Sequence, residues 1–336
     1  MIRRPATVST LVCVALALPG LIRAQDSAAW HDPSPHNIQF ITVDNDVQLE
    51  VLDWGGTGWT IVLIPGMGNN AHVFDEFAPK LAARYHVYGV TRRGFGASSH
   101  PASGYQADRL GDDILAVLDA LKLKSPVLVG HSFGGEEMSS IGSRKAERVA
   151  GLVYLDAGYE YAFDNGKGVT PEERAGLNVL PDPPPFRAVD RASFGAYEIR
   201  YKEINGISLP EAERRQSYEP TADGHVGKFR TLPAVYDAIT AGRQKYVQIK
   251  TPVLAIFTPP HALGSWYMNN EDPAVRTGVE TFLTRDEALV EKQAKAFEVG
   301  IPTAKVVRLP HANHYVFISN ESDVLREMDA FIGKLP

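Results

Sequence analysis

Between residues 60 and 309, short apolar runs alternate with helical patterns, and this alternation limits the possible folds more than any other feature of the chain. The runs are Thr60 to Ile64, Tyr85 to Val90, Val127 to Val129, Gly151 to Leu155, Val253 to Phe257 and Lys305 to Leu309. Most are separated by segments with one apolar face at helical spacing. Leu110, Ile114, Val117, Leu118 and Leu121 define a helix over Asp108 to Leu121, and Thr284 with Glu287 has the spacing of a capping box opening a helix to Phe297. A strand short and apolar enough to be buried on both faces, followed by a covering helix, predicts an α/β protein with a mainly parallel sheet and helices on both sides. Ahead of this region, Ile38 to Val43 and Val47 to Trp54 flank Asp44-Asn45-Asp46 and read as an opening hairpin. An amphipathic helix from about Ser322 to Phe331 closes the chain.

The alternation fails between Asp156 and Lys250. That stretch is rich in Tyr, Phe, Pro and charge, contains Pro-Asp-Pro-Pro-Pro from Pro181, and has only weak helical patterns, at Leu209 to Tyr218 and Phe229 to Tyr246. It is too long for an ordinary connection and predicts a lid inserted between two sheet strands. The expected organisation is a signal peptide at 1–24, a polar, proline-broken lead-in at 25–37, core at 38–156, lid at 157–250 and core again at 251–336.

The first 24 residues have the layout of a secretory signal: Arg3 and Arg4, an apolar run from Leu11 to Leu18, a Pro19-Gly20 break and a small residue at Ala24. The run is too short to span a bilayer comfortably, so the expectation is a secreted or periplasmic protein with no integral membrane segment after cleavage. Cys13, the chain's one cysteine, would leave with the signal, so neither a disulfide nor a cysteine-ligated metal is expected. A formal charge of −6 without a basic block gives no reason to expect nucleic acid as a partner; a small neutral or apolar molecule fits better. No phosphate-cradling loop, nucleotide fingerprint or metal-ligand cluster is evident, and no cofactor is expected. The oligomeric state is left open.

The densest chemical signal is Val-Leu-Val-Gly-His-Ser-Phe-Gly-Gly from Val127. In a chain with 29 glycines a Gly-x-Ser-x-Gly match is weak by itself. Here it follows a buried-type strand and opens a helix running from Ser132 to Arg144, which is the setting of a nucleophile elbow. Gly130 and Gly134 allow a turn too tight for side chains and tolerate strained backbone, pushing the Ser132 hydroxyl out beside a helix N-terminus. Serine needs a base. His31, His36, His86, His100 and His225 lie in unremarkable contexts, and His131 is expected to pack rather than react. His311 and His314 lie just after the last strand, and His314, deeper in the loop, is the preferred base. For the acid that fixes its tautomer, Asp156 at a strand tip is preferred, because strand tips are rigid; Glu271 and Asp272 are the reserve. The oxyanion donors expected are the backbone N–H groups of Phe133, next to the serine, and Met67, in Pro-Gly-Met-Gly from Pro65.

With these residues the chain resembles the α/β-hydrolase-fold enzymes of the lidded serine esterase and lipase-like type. The resemblance runs from the opening hairpin to the last helix and rests on Pro65 to Gly68, Arg93-Gly94-Phe95-Gly96-Ala97-Ser98, Gly130 to Gly134 and Ala312-Asn313-His314. It implies a lid between the sixth and seventh core strands. Two departures matter. Pro65 stands where the family usually has His, and the usual acid after the seventh strand is missing; Asp156 matches the position after the sixth strand used by some members. The expected activity is hydrolysis of a carboxylic ester through an acyl-enzyme. A lactonase, amidase, carbon-carbon bond hydrolase or perhydrolase would share the triad, and a non-catalytic ligand-binding protein would share the fold. Tyr159, Tyr161, Phe163, Phe186, Phe194 and Tyr197 could line an apolar pocket or form the lid's own core.

Overall fold

The computed structural model describes residues 30–336, so the expected signal peptide, its cleavage after Ala24, and Cys13 lie outside the described residues. Eight strands form one sheet: β1 (Asn37–Asp44), β2 (Val47–Gly55), β3 (Thr60–Ile64), β4 (His86–Val90), β5 (Val127–His131), β6 (Gly151–Leu155), β9 (Val253–Phe257) and β10 (Ala304–Arg308). A separate two-stranded ribbon pairs β7 (Tyr218–Pro220) with β8 (Val226–Phe229). The spatial order is β1-β2-β4-β3-β5-β6-β9-β10. The first two strands are antiparallel to their neighbours, and every pairing from β4 onward is parallel.

The helices are α1 (Ala78–Ala82), α2 (Ala107–Ala120), α3 (Gly134–Arg144), α4 (Pro171–Ala175), α5 (Phe194–Asn205), α6 (Glu211–Ser217), α7 (Pro233–Ala241), α8 (Ser265–Met268), α9 (Pro273–Gly300), α10 (Val316–Ser319) and α11 (Glu321–Ile332). Strands β5, β6 and β9 are buried at every position. Alternate residues along them feed two apolar cores, one on each face: Leu128, Leu152 and Ala255 join Ile114, Leu118 and Phe297, whereas Val129, Val153 and Ile256 join Phe74, Phe317 and Met328. Burying each Val, Leu, Ile, Phe or Met side chain among these contributes about 1.5–3 kcal/mol before entropy is counted. This two-sided burial explains why the strands read as continuous apolar runs.

The helix before the last strand differs from expectation. Rather than opening at a Thr284 capping box, α9 spans 28 residues from an Asp272 cap whose carboxylate accepts from Ala274 N at 2.8 Å. Thr284 lies well inside it and donates to the Glu280 carbonyl at 2.9 Å, a bond that continues the helix instead of starting one.

The insertion between β6 and β9 carries α4 to α7 and the ribbon. Phe194, Tyr197 and Val226 form a small core of their own, with Phe186 packed against it. Buried polar groups hold α6 to the sheet domain. Glu213 accepts from Asn69 Nδ2 at 2.9 Å and Asn70 N at 3.0 Å, and Gln216 donates to Glu50 at 2.7 Å. Among the described residues, no helix is long and apolar enough to cross a membrane.

Candidate active site

Strand β5 ends at His131, and the chain reverses into α3 through Ser132, whose φ of 49° is left-handed backbone that a serine rarely adopts. The flanking glycines do not carry this strain; what they supply is space. A Cβ on Gly134 would lie 2.6 Å from the Ile64 carbonyl oxygen, and one on Gly135 would overlap the Ala157 carbonyl oxygen. The elbow is therefore wedged between the ends of β3 and β6, and the hydroxyl-bearing residue takes the unusual torsion.

The loop from Pro65 to Asn70 lies against it. A Cβ on Gly66 would come within 3.0 Å of Ser132 Cβ. Its carbonyls are pinned from behind: Arg92 donates to the Pro65 oxygen at 2.8 Å and the Gly66 oxygen at 3.2 Å, and its Nε pairs with buried Glu137. Holding those two carbonyls fixes the peptide planes that lead to Met67, a partly buried residue packed on the core, and Phe133 is buried at the start of α3. Arg93, in the Arg-Gly-Phe-Gly turn, makes a buried two-point pair with Asp113 at 2.6 Å on both arms.

At the tip of β6, Asp156 is fully buried and also left-handed, with φ 47°. His314 Nδ1 donates to Asp156 Oδ2 at 2.6 Å, which leaves Nε2 as the basic nitrogen of the neutral ring. Tyr159 donates to the other oxygen, Oδ1, at 2.7 Å. Burial opposes a charge on Asp156, but His261 and then His314 outweigh it and hold the carboxyl far below the usual carboxylate range. His131 packs at 4.7 Å from the His314 ring and donates from Nε2 to the His314 carbonyl at 3.1 Å. Burial, followed by the charge of His314, pushes its own pKa well down, so it serves as a neutral spacer.

The structure thus brings Ser132, His314 and Asp156 to one edge of the sheet. His311 is exposed at a turn with φ 59°, and Glu271 and Asp272 lie in an exposed turn where Asp272 caps α9. None of these three is among the residues lining the cavity at Ser132.

Two residues at the site escaped sequence reasoning. His261, in the loop after β9, donates from Nε2 to Asp156 Oδ2 at 2.6 Å, and its Nδ1 faces Asp286 of α9 at 2.8 Å. The Asp286 signal was present in the sequence: a carboxylate at position 286 falls on the apolar face marked by Val279, Val290, Ala294 and Phe297, where helical spacing calls for a hydrophobic residue. The ring nitrogens of His261 and His314 and the Asp156 oxygen form a cluster of metal-ligating type. Both nitrogens meet a single oxygen at 2.6 Å, however, which is hydrogen-bond spacing. An ion with bonds of about 2.0–2.2 Å to each donor would hold them further apart.

Ser132, His261, His314 and Asp286 line an open cavity of about 540 Å³. Its other walls are mainly apolar: Tyr159, Tyr161, Leu177, Leu180, Pro183, Ile204, Tyr267 and Phe282, with Arg174 at the side. The aromatic residues singled out in the sequence therefore divide. Tyr159 and Tyr161 face the cavity, Phe163 packs on Phe297 beneath it, and Phe186, Phe194 and Tyr197 belong to the insertion's own core.

The sequence model of the alpha/beta hydrolase family matches residues 61–327, and the chain belongs to that family. It is 31% identical over 212 residues to a candidate non-heme chloroperoxidase of Synechocystis sp., covering 60% of this chain and 73% of the other. Shorter matches join it to a 2-(acetamidomethylene)succinate hydrolase of Mesorhizobium japonicum (30% identical, 30% of this chain and 36% of that one) and a 2-hydroxymuconate semialdehyde hydrolase of Pseudomonas sp. (34% identical, 33% and 41%). Among solved structures, E-2-(acetamidomethylene)succinate hydrolase superposes with a TM-score of 0.61 at 20% identity, covering 89% of this chain and 99% of the other. An N-acyl homoserine lactone degrading enzyme superposes at 0.56 and 22%, covering 87% and 100%. At these identities the structural likeness is one of fold.

Proposed function

We propose that this α/β hydrolase is a serine hydrolase that cleaves a carboxylic ester of a small, mainly apolar molecule through an acyl-enzyme. The observation that carries the reading is the 2.6 Å bond from His314 Nδ1 to buried Asp156, with Ser132 on a strained elbow facing the same cavity. In this reading His314 Nε2 takes the proton as Ser132 Oγ attacks the acyl carbon. Asp156 holds the tautomer and balances the imidazolium that forms. The oxyanion is received by the N–H groups of Phe133 and Met67, near the N-terminus of α3. The alcohol leaves with the proton from His314, and water then repeats the sequence on the acyl-enzyme. The apolar cavity walls favour an uncharged substrate, and the cavity's volume lies within the usual range for small-molecule sites. Residues 1–24 fit a signal for export to the periplasm or beyond.

Fluorophosphonate labelling with peptide mass spectrometry tests this. One adduct on Ser132, lost in Ser132→Ala and slowed at least about 10³-fold in His314→Ala, is the expected result. Folded protein without an adduct would overturn it in favour of a ligand-binding role. Once labelling succeeds, a panel of esters, lactones and amides defines the bond cleaved.

A further inference from the structure

Asp156 Oδ2 accepts from two imidazoles, which a triad acid does not require. His314 reaches it from the loop after β10 and His261 from the loop after β9, both at 2.6 Å. The second ring has no nitrogen left over, since its Nδ1 lies 2.8 Å from Asp286 Oδ2. The same Asp286 oxygen accepts the His261 backbone N–H at 2.7 Å, which fixes the loop as well as the ring. A neutral imidazole has one bare nitrogen, and here that nitrogen would face a carboxylate oxygen whichever tautomer formed. Only the imidazolium donates to both.

We propose that His261 is a permanently charged positioning residue that, with Asp286 behind it, holds Asp156 for His314 and keeps the active centre working in acidic solution. The proposal rests on the Ser132 reading above. The charges on three groups set the direction of the effect. Asp156 alone would present a full negative charge to His314 and favour the protonated, inactive ring. With the His261 cation beside it, at 5.7 Å between ring centroids, part of that pull is cancelled. Asp286 partly offsets the cation in turn, so the three groups carry one net negative charge.

The surroundings are consistent with this count. Tyr159 faces both partners, donating to Asp156 and lying 3.2 Å from His261 Nε2. Arg174 of α4 stacks over the Tyr159 ring and is neutralised by Glu160, and Tyr161 is a buried phenol. On the other side His314 meets the neutral His131 and the half-buried ring of Tyr315. Burial works against a charge on His261, but Asp156 and then Asp286 overcome it and raise its pKa to about 10.

The test follows the rate of fluorophosphonate labelling of Ser132 against pH, which needs no knowledge of the substrate. In His261→Gln the acid limb of the profile rises by about one pH unit, and in Asp286→Asn it falls by a smaller amount. A merely structural role would lower the rate in both without moving the limb. An unmoved limb in His261→Gln, or movement the same way in both variants, overturns the proposal. A measurement independent of variant folding accompanies it: in histidine-labelled wild-type protein the His261 ring nitrogens keep imidazolium NMR shifts through pH 8, and a neutral ring there overturns the proposal. If Ser132 labels at no pH, the serine reading fails and with it the role in catalysis, while a charged His261 signal still establishes the ion triad. The two failures are thus distinguishable.

Discussion

The tips of β6 and β9 are neighbours in the sheet, paired in parallel up to Leu155 and Ile256, yet they carry opposite chemistry. The β6 tip ends in a carboxylate with 0% exposure, locked at positive φ, with its own N–H bonded to the Ile256 carbonyl at 2.8 Å. The β9 tip runs on through Thr258-Pro259-Pro260 to an imidazole, and the acid behind that imidazole comes from a helix rather than a strand. The difference sets a carboxylate and an imidazole at adjacent strand ends, hydrogen-bonded to one another and each held by a further partner. Where one tip supplies the carboxylate, the other must supply something that tolerates it, and a cation backed by its own counter-ion does so. Two carboxylates this close would not both stay ionised.

The largest effect is expected at Asp156. Replacing it by Asn should slow Ser132 labelling about 10⁴-fold with little loss of folded protein, because the amide can offer the wrong partner to His314 Nδ1 and leaves the His261 cation facing a neutral group. A loss below about tenfold would mean that another acid does the work. Next in size is the contact that holds the β6 tip against the elbow. Gly135→Ala drives a methyl into the Ala157 carbonyl, one residue past Asp156, and should cost about 3 kcal/mol in denaturant unfolding. An unchanged midpoint would show that the two elements are not rigidly joined. The smallest effect is expected in the turn after the β9 loop. Asp272→Ala removes a helix cap worth about 1 kcal/mol and, like Glu271→Ala, should leave the labelling rate within about twofold of wild type. A large drop in rate would restore those residues as candidates for the acid and erase the distinction between the two tips.

Much of this protein was legible in order along the chain. The apolar runs gave the strands because burial on both faces demands them, and Gly-His-Ser-Phe-Gly between a strand and a helix pointed to Ser132 because the turn itself is local. That His314 and Asp156 meet was also reachable, since a loop after the last strand and a strand tip are positions that parallel topology brings to one edge. Extended capping logic misplaced the start of α9, where Asp272 with Pro273 is the stronger local signal and the Thr284 hydroxyl is used inside the helix.

Whatever depends on neighbours in the chain could therefore be read along it: periodicity, turns, the elbow and the alternation that defines an α/β sheet. What depends on distance through space emerged with the packed fold. His261 and Asp286, 25 positions apart, meet through Nδ1 and Oδ2, and His261 meets Asp156 across 105 positions. Neither pairing leaves a local trace beyond one carboxylate on an apolar helix face. The physical reason is that a buried charge is tolerated only where its partner is, and partners are brought together by packing, not by spacing.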